Sequence, residues 1–309
     1  MNNCPPELHA YICQLTCVDG GQTIRSINKT SRYFYYISKP YLYQSLSITG
    51  SKQIHAITTL LESGPRACLR HIRYLLISDT ACLTDEHSLK SATQTIPETH
   101  TLISRIISLA APTLEFLTFI AYSPQTSTSL IAHLFRTPFP HLRGLTICGF
   151  YPFPKSAGKF PRLEQLHLSG NRNPYGLLQM SVLENACPSL RFLKVSGLQS
   201  AASFVMEVKE ALGNHENEKE SDEPTLFPAK FPAQIRKVTL QAGPKKSEKE
   251  GNVELKDRLM MKGLESLNIE TPNMNGVQVI VLDRSPHSSM LHDIKQEWLE
   301  NIATFVPLD

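Results

Sequence analysis

Short apolar phrases of one form recur along the middle of the chain. Four of them align without gaps over residues 111–122, 139–150, 160–171 and 187–198. They share the order x-Pro-x-Leu-[Arg/Glu]-x-Leu-x-apolar, and weaker copies occupy 69–78, 231–242 and 261–271. The alternation of apolar and other residues that begins at the second leucine is typical of a β-strand that buries one face. The repetition predicts a series of equivalent strands.

The segments between these phrases have apolar residues at helical spacing. We predict helices over 99–110, 127–136, 175–186 and 200–213, the last of which ends in a glycine. An early strand over 43–49 and a helix that follows it fit the same order. Short strands that are each followed by a helix pair in parallel through crossover connections. The predicted fold class is therefore α/β with one parallel sheet.

A proline lies ahead of the first leucine in each of the four clear phrases. These residues are Pro112, Pro140, Pro161 and Pro188. Proline stops a helix and biases the preceding residue to extended geometry. We expect each one to lie just before a parallel strand, at the same edge of one sheet.

The phrase Leu163-x-x-Leu166-x-Leu168-x-x-Asn171 resembles the leucine-rich repeat, in its irregular form. The resemblance covers roughly residues 69–282. It implies a solenoid with a curved parallel sheet on one side and helices on its convex side. The alternative is an ordinary α/β domain with coincidental strand phrases. The amphipathic segment 291–305, which contains the single tryptophan, is predicted to cap the last repeat.

Two polar inserts interrupt the repeats. Residues 214–223 contain five acidic residues and one lysine, and residues 243–252 are also polar. We predict solvated loops over 214–226 and 243–252.

The first fifty residues have a different pattern. Pro5 and Pro6 precede a helical segment with apolar side chains at Leu8, Tyr11 and Ile12. A break at 19–21 is followed by two more short helical segments, and Pro40 ends the last. The sequence predicts a small helical domain over 1–48 and a repeat domain over 49–309.

This helical segment resembles the F-box. Pro5, Glu7 and Leu8 match the start of the family phrase, and 30–34 matches its later part. Cys4, Thr30 and Phe34 stand where the family has leucine, valine and tryptophan. The resemblance implies binding to a Skp-type adaptor, and through it a cullin, by Pro5, Glu7, Leu8, Ile12, Leu15, Arg32 and Phe34. The alternative is a plain helical cap that shields the first repeat.

Composition and motifs argue against several other functions. The net charge of +3 is too weak to indicate a nucleic-acid partner. The sequence lacks GxSxG, GxxxxGK[ST], GxGxxG and HExxH, and its eleven histidines have no paired ligand spacing, so we expect no catalysis, cofactor or metal. Seven cysteines without a CxxC pair indicate reduced, mostly buried thiols. With no signal peptide and no membrane span expected, we predict a cytoplasmic or nuclear location.

Together the two resemblances imply the substrate-recognition subunit of a Skp–cullin–F-box E3 ubiquitin ligase, which is not itself an enzyme. The rival is a repeat scaffold for protein interactions with no ubiquitin role. Residues between the inward leucines should face the concave side and hold a protein substrate. The predicted contacts are Tyr74, Phe116, Thr118, Gln165, His167, Phe192, Lys194, Lys237 and Asn268. Phe116 and Phe192 would be exposed anchors unless a helix or loop covers them.

Overall fold

A computed structural model of the protein describes residues 4–63, 71–79, 92–121, 124–152, 156–213, 228–245, 251–270, 276–285 and 291–305. Within these ranges the helices are α1 (Pro6–Thr16), α2 (Gln22–Asn28), α3 (Arg32–Ser38), α4 (Gly50–Ser63), α5 (Ala92–Ala110), α6 (Pro124–Arg136), α7 (Val182–Ala186), α8 (Ala202–Gly213), α9 (Gly251–Glu270) and α10 (Leu291–Phe305). The strands are β1 (Ser45–Thr49), β2 (Tyr74–Ser78), β3 (Phe116–Ile120), β4 (Gly144–Cys148), β5 (Gln165–Ser169), β6 (Phe192–Leu198), β7 (Lys237–Ala242) and β8 (Gln278–Leu282). Short 3-10 helices occupy Lys39–Tyr41 and Gln179–Ser181.

The eight strands form one sheet in chain order, and every neighbouring pair is parallel. The predicted α/β class is therefore confirmed. From β2 to β6 the equivalent phrases also pair in register, so that Leu117, Leu145 and Leu166 stand side by side on three adjacent strands. The repeated sequence phrase thus produces a repeated position in the sheet.

One face of the sheet forms the main hydrophobic core with the helices α4–α9. At least two side chains per strand point into this core, such as Leu166 and Leu168 from β5. The first leucine of each clear phrase lies ahead of its strand and has no solvent exposure; these residues are Leu114, Leu142, Leu163 and Leu190. Since the strands follow one another across the sheet in chain order, their inward side chains form one continuous core.

The prolines take the predicted place at the sheet edge. Pro161 lies four residues before Gln165, the first residue of β5, and Pro112, Pro140 and Pro188 have the same offset from β3, β4 and β6. Because all of these strands are parallel, the four prolines lie at one edge of the sheet. This prediction is confirmed.

The N-terminal helices also lie where the sequence predicted them. The carboxylate of Asp19 accepts bonds from the backbone N–H groups of Gln22 and Thr23 at the start of α2. Gly21, with φ of 90°, lies in the left-handed region that favours glycine, directly before that helix. The Ser31 hydroxyl accepts a bond from the Phe34 N–H and caps α3.

The weak phrase at 261–271 is not a strand. Its residues 261–270 lie in α9, residue 271 lies outside the described residues, and Ser266 and the predicted contact residue Asn268 are therefore helical. The buried residues Met260, Leu264 and Leu267 follow one side of this helix at intervals of four and three residues. This copy has no proline to stop the helix, which is the physical reason for the error. The last strand, β8, follows at Gln278–Leu282.

The predicted loops lie largely outside the described residues. This is true of 214–226 and of 246–250, whereas residues 251 and 252 belong to the first turn of α9.

Helix α10 does not cap the last repeat as predicted. It crosses the second face of the sheet, opposite the main core. Trp298 and Ile302 pack against Tyr74 of β2 and Phe116 of β3, and Ile294 packs against Cys148 of β4. The predicted amphipathic pattern is present, but its apolar side is buried by strands from the first half of the sheet.

Candidate protein-interaction surfaces

The outer side of α1 exposes large apolar side chains. Leu8 and Ile12 are each 51% exposed, and Tyr11 is exposed beside them. Residues at i, i+3 and i+4 share one side of a helix, so the three form a continuous patch. The opposite side of α1 carries the smaller buried residues His9 and Cys13. We call Leu8, Tyr11 and Ile12 the α1 patch.

The helical unit has its own small core without the α1 patch. Cys13 and Cys17 pack with Ile24 of α2, and partly buried side chains of α3 and the following turn surround them. His9 joins α1 to α3, because its Nδ1 lies 2.8 Å from the Tyr33 hydroxyl and its ring contacts that of Phe34. The α1 patch is therefore not needed to hold the three helices together.

The residues predicted to bind an adaptor divide into two groups. The structure exposes five of them, which are Pro5, Glu7, Leu8, Ile12 and Arg32. Leu15 and Phe34 are half-buried. Phe34 packs edge-on against His9, with ring centroids 5.4 Å apart, so its place is between the helices.

Three exposed tyrosines of α3, which were not among the predicted site residues, extend the apolar surface of the helical unit. Tyr33, Tyr35 and Tyr36 are all exposed, and the rings of Tyr35 and Tyr36 contact each other edge-on. The sequence does indicate this exposure, because a helix of seven residues with four consecutive aromatics cannot bury all of them on one side.

The second face of the sheet carries the residues predicted to contact a substrate, apart from Asn268. In β5 the residues between the core leucines are Gln165 and His167, and they pair with Phe192 and Lys194 of β6. Lys194 in turn pairs with Thr239 of β7. The predicted alternation is thus confirmed from β2 to β7. Asn268 belongs to α9, whose buried residues join the main core.

Helix α10 covers one end of this face. Tyr74, Phe116 and Thr118 are buried, so the predicted exposure of Phe116 is wrong. The Phe116 ring lies 5.2 Å from that of Phe305, and Trp298 belongs to the same cluster. The stated alternative, in which a helix covers Phe116, is correct. Large apolar surfaces are usually covered by a partner. Here the partner is α10 of the same chain.

The end of the face towards β6 and β7 remains accessible. Phe192 is 37% exposed, and Gln165, Lys194 and Lys237 are half-buried. A cavity of about 170 Å³ lies between these side chains and α10, with Glu297 and Asn301 in its wall. We call this region, formed by Gln165, Phe192, Lys194 and Lys237, the β6–β7 surface.

A polar cluster fastens α10 beside the β6–β7 surface. Glu297 Oε1 lies 2.7 Å from Lys194 Nζ and 3.2 Å from His167 Nδ1. His167 Nε2 lies 2.8 Å from the Ser196 hydroxyl. Burial lowers the pKa of His167, which therefore favours the neutral ring. Burial alone would raise the pKa of Glu297, but its contacts with His167 and Lys194 lower it to about 2.

The order hydroxyl, imidazole, carboxylate in this cluster is also that of a serine hydrolase triad. Ser196 is buried and does not belong to the wall of the neighbouring cavity, so a substrate in that cavity would not meet the hydroxyl. The Glu297 carboxylate also forms an ion pair with Lys194, so orienting the imidazole is not its sole contact. The cluster is better understood as the attachment of α10 to the sheet.

Other chemistry is limited among the residues that the structure describes. The five cysteines in those ranges are unpaired, and burial raises the pKa of the Cys148 and Cys187 thiols to about 12. Such thiols are poor nucleophiles at neutral pH. Across the same ranges, no group of three or more His, Cys, Asp and Glu side chains is placed to hold a metal ion. None of the helices described here has the length and apolar character to cross a membrane.

Comparison with known proteins gives no relative to guide the assignment. No protein-family model matches the sequence, and no curated protein matches it significantly.

Proposed function

We propose that this chain is the substrate-recognition subunit of a Skp–cullin–F-box ubiquitin ligase. The α1 patch is the observation that carries the proposal. It exposes apolar side chains on a folded helix, and two of its three residues, Leu8 and Ile12, are those that the F-box resemblance assigns to adaptor binding. Apolar patches on stable surfaces commonly mark protein interfaces.

The arrangement of the helical unit supports the F-box interpretation. Three short helices precede the first strand, and Ser31 caps the third helix within the segment that matches the later F-box phrase. The unit packs against the start of the sheet, where Gln44 donates a side-chain bond to the Gln14 carbonyl. A helical cap alone would need its buried side, but it would have no use for an exposed apolar one.

The repeat region supports the second half of the proposal. Eight parallel strands in chain order are what leucine-rich repeats would produce. The amide of Asn171, the asparagine of the best-matching phrase, donates to the Tyr151 carbonyl 2.9 Å away. This bond ties one unit to the preceding one, which gives the asparagine a structural purpose in a stack of repeats.

The proposed mechanism is tethering. The α1 patch would hold the chain on the adaptor, and the β6–β7 surface would hold the target protein near a recruited conjugating enzyme. Such tethering raises the effective concentration of target lysines, so the chain itself needs no catalytic group.

Adaptor binding in a pulldown with a purified Skp-type adaptor tests the proposal. We expect the wild type to bind and the variant Leu8→Asp with Ile12→Asp to lose binding, because two charges would have to be buried at the interface. The control is Leu255→Asp with Leu259→Asp on α9. These two leucines are each 53% exposed and have the same spacing of four residues.

A wild type that does not bind the adaptor would overturn the ligase proposal and favour an interaction scaffold with no ubiquitin role. Equal loss of binding in the α1 and α9 variants would show that the effect is not specific to the α1 patch, and it would also contradict the proposal.

A further inference from the structure

A column of charged residues runs along the edge where the strands begin. The residue directly before each strand from β2 to β7 is charged, and in chain order these are Arg73, Glu115, Arg143, Glu164, Arg191 and Arg236. Four of them occupy the [Arg/Glu] position of the repeated phrase. The proposed ligase function makes no use of this column.

The backbone holds these side chains in a fixed order. The Glu164 carbonyl accepts bonds from the N–H groups of Arg191 and Phe192, each at 2.9 Å. The Arg191 carbonyl does the same for Arg236 and Lys237 at 2.9 and 3.1 Å. Successive members of the column are therefore one strand spacing apart, about 4.8 Å.

Charge alternates along the first part of the column and then stops alternating. Arg73 makes two bonds to the Glu115 carboxylate, at 2.7 and 3.0 Å. Arg143 lies 3.0 Å from Glu164. Arg191 approaches the same Glu164 only to 3.9 Å. The position after Arg191 holds a second arginine instead of a carboxylate.

A second column lies beside the first. His141, Arg162 and Ser189 each stand three residues before their strand. The Ser189 hydroxyl donates to the Pro161 carbonyl at 2.7 Å, which links the turn that carries Ser189 to the turn that carries Arg162. In the part of the chain that the structure describes, no carboxylate lies within 4 Å of Arg162. Its one polar side-chain neighbour there is His141, at 3.4 Å.

All members of these columns except Arg236 line one wall of a groove of about 610 Å³. The other walls are mostly apolar, from Tyr11 and Leu15 of α1 and from Phe305 at the end of α10, with the polar Gln14 beside them. The groove contains four arginines and two glutamates, which is a formal excess of two positive charges. It thus combines a guanidinium group with no carboxylate nearby, that of Arg162, and a weakly paired one, that of Arg191, with aromatic and aliphatic contact area.

We infer that this groove binds an acidic peptide segment whose carboxylates pair with Arg162 and Arg191. In the Arg73–Glu115 pair, the arginine donates two bonds to one carboxylate, which is the preferred geometry for such pairs. Arginines at this edge can therefore bind a carboxylate in this way. A ligand carboxylate beside Arg191 would supply the negative charge that the alternating column lacks after this residue. An apolar residue of the same peptide would contact Leu15 or Phe305. This inference does not rest on the ligase proposal.

Short fluorescein-labelled degenerate peptide pools test the inference. Three pools are identical except for a central pair of Glu-Glu, Gln-Gln or Lys-Lys, and fluorescence anisotropy measures their binding to the full-length protein. We expect the Glu-Glu pool to bind at least about ten-fold more tightly than the Gln-Gln pool. This preference should shrink as salt is added, because screening weakens exposed charge pairs.

The variant Arg162→Glu with Arg191→Glu should lose this preference. The control is Lys52→Glu with Lys262→Glu on the exposed sides of α4 and α9, which changes the net charge equally. Arg162→Gln with Arg191→Gln keeps the test valid if the charge reversal impairs folding, as judged by thermal unfolding. These variants should still bind the adaptor, and the α1 patch variant should still prefer the Glu-Glu pool.

Equal affinity of the wild type for the Glu-Glu and Gln-Gln pools would overturn the inference. So would an equal loss in the control variant, since the effect would then come from net charge alone. A phosphoserine pair in place of Glu-Glu distinguishes the source of the anion. Weaker binding of this pool than of the Glu-Glu pool supports a carboxylate ligand, whereas binding of the phosphoserine pool alone contradicts it.

Discussion

Helices α1 and α10 use their large apolar side chains in opposite ways. Trp298 of α10 is 2% exposed, whereas Leu8 of α1 keeps about half of its surface in water. Both helices are amphipathic and both lie against the same sheet-containing body, so pattern alone does not decide which side is buried. The difference is the partner, since the second face of the sheet offers α10 an aromatic surface. The α1 patch has no such partner among the described residues.

Truncation of the α10 tryptophan should give the largest change. Trp298→Ala removes the largest fully buried side chain among the described residues and leaves a cavity over Tyr74 and Phe116. We expect the free energy of unfolding to fall by about 3–5 kcal/mol. Denaturant unfolding measures this value. A loss below about 1 kcal/mol would mean that α10 is not firmly seated on the sheet.

A methyl group at Gly144 should disturb the contact between Phe116 and α10 from the side of the sheet. A Cβ built on Gly144 would overlap with the Phe116 ring, which α10 holds in place from the other side through Phe305. We expect Gly144→Ala to cost about 1–3 kcal/mol of unfolding free energy. Gly213→Ala is the control, because its Cβ would point into open space at the end of α8. Equal effects of the two changes would contradict this account.

The Glu297 attachment should make the stability of the fold depend on pH. The pKa of Glu297 is lowered in the folded chain from 4.5 to about 2, so its ionised form stabilises the fold above pH 4.5. That contribution should be lost as the pH falls from 4.5 to about 2. Since the side chain is partly exposed, we expect about 1–2 kcal/mol.

Glu297→Gln should remove this dependence. The difference in unfolding free energy between wild type and variant should be largest at neutral pH and vanish near pH 2. The exposed Glu300→Gln on the same helix is the control. A difference that stays constant across this window would show that the charge of Glu297 is not what holds α10.

The smallest stability effect should come from the α1 patch. Leu8→Ala and Ile12→Ala remove exposed atoms, so each should change the free energy of unfolding by less than about 0.5 kcal/mol. Chemical denaturation of the full chain provides the measurement. A loss of more than about 1.5 kcal/mol would show that this surface is already covered by the chain itself, and it would remove the contrast with α10.

The sheet was predictable because its information is local. Each of the four clear strand phrases carries its own leucines and its own proline, so Leu163, Leu166 and Pro161 specify one unit without reference to the others. The wrong prediction of a strand at 261–271 also has a local cause. That phrase has leucines at spacings that suit both a strand and a helix, and without a proline the helix continues through it.

The position of α10 was not predictable because it depends on distant residues. Trp298 meets Tyr74 and Phe116, which lie more than half the chain away, and no local pattern encodes that pairing. The candidate surfaces reflect the same limit. Leu8 and Ile12 were identified from a resemblance, whereas the groove beside Arg162 and Arg191 emerged only when adjacent units were stacked.

The late placement of α10 in the chain has a consequence for synthesis on the ribosome. Strands β2 and β3, the second of which ends at Ile120, are made long before Leu291, the first residue of the helix that covers their second face. At about 5–20 residues per second, the interval between them is on the order of ten to thirty seconds. During that time the aromatic surface around Phe116 has no cover of its own. The nascent chain is therefore expected to depend on chaperones until α10 emerges.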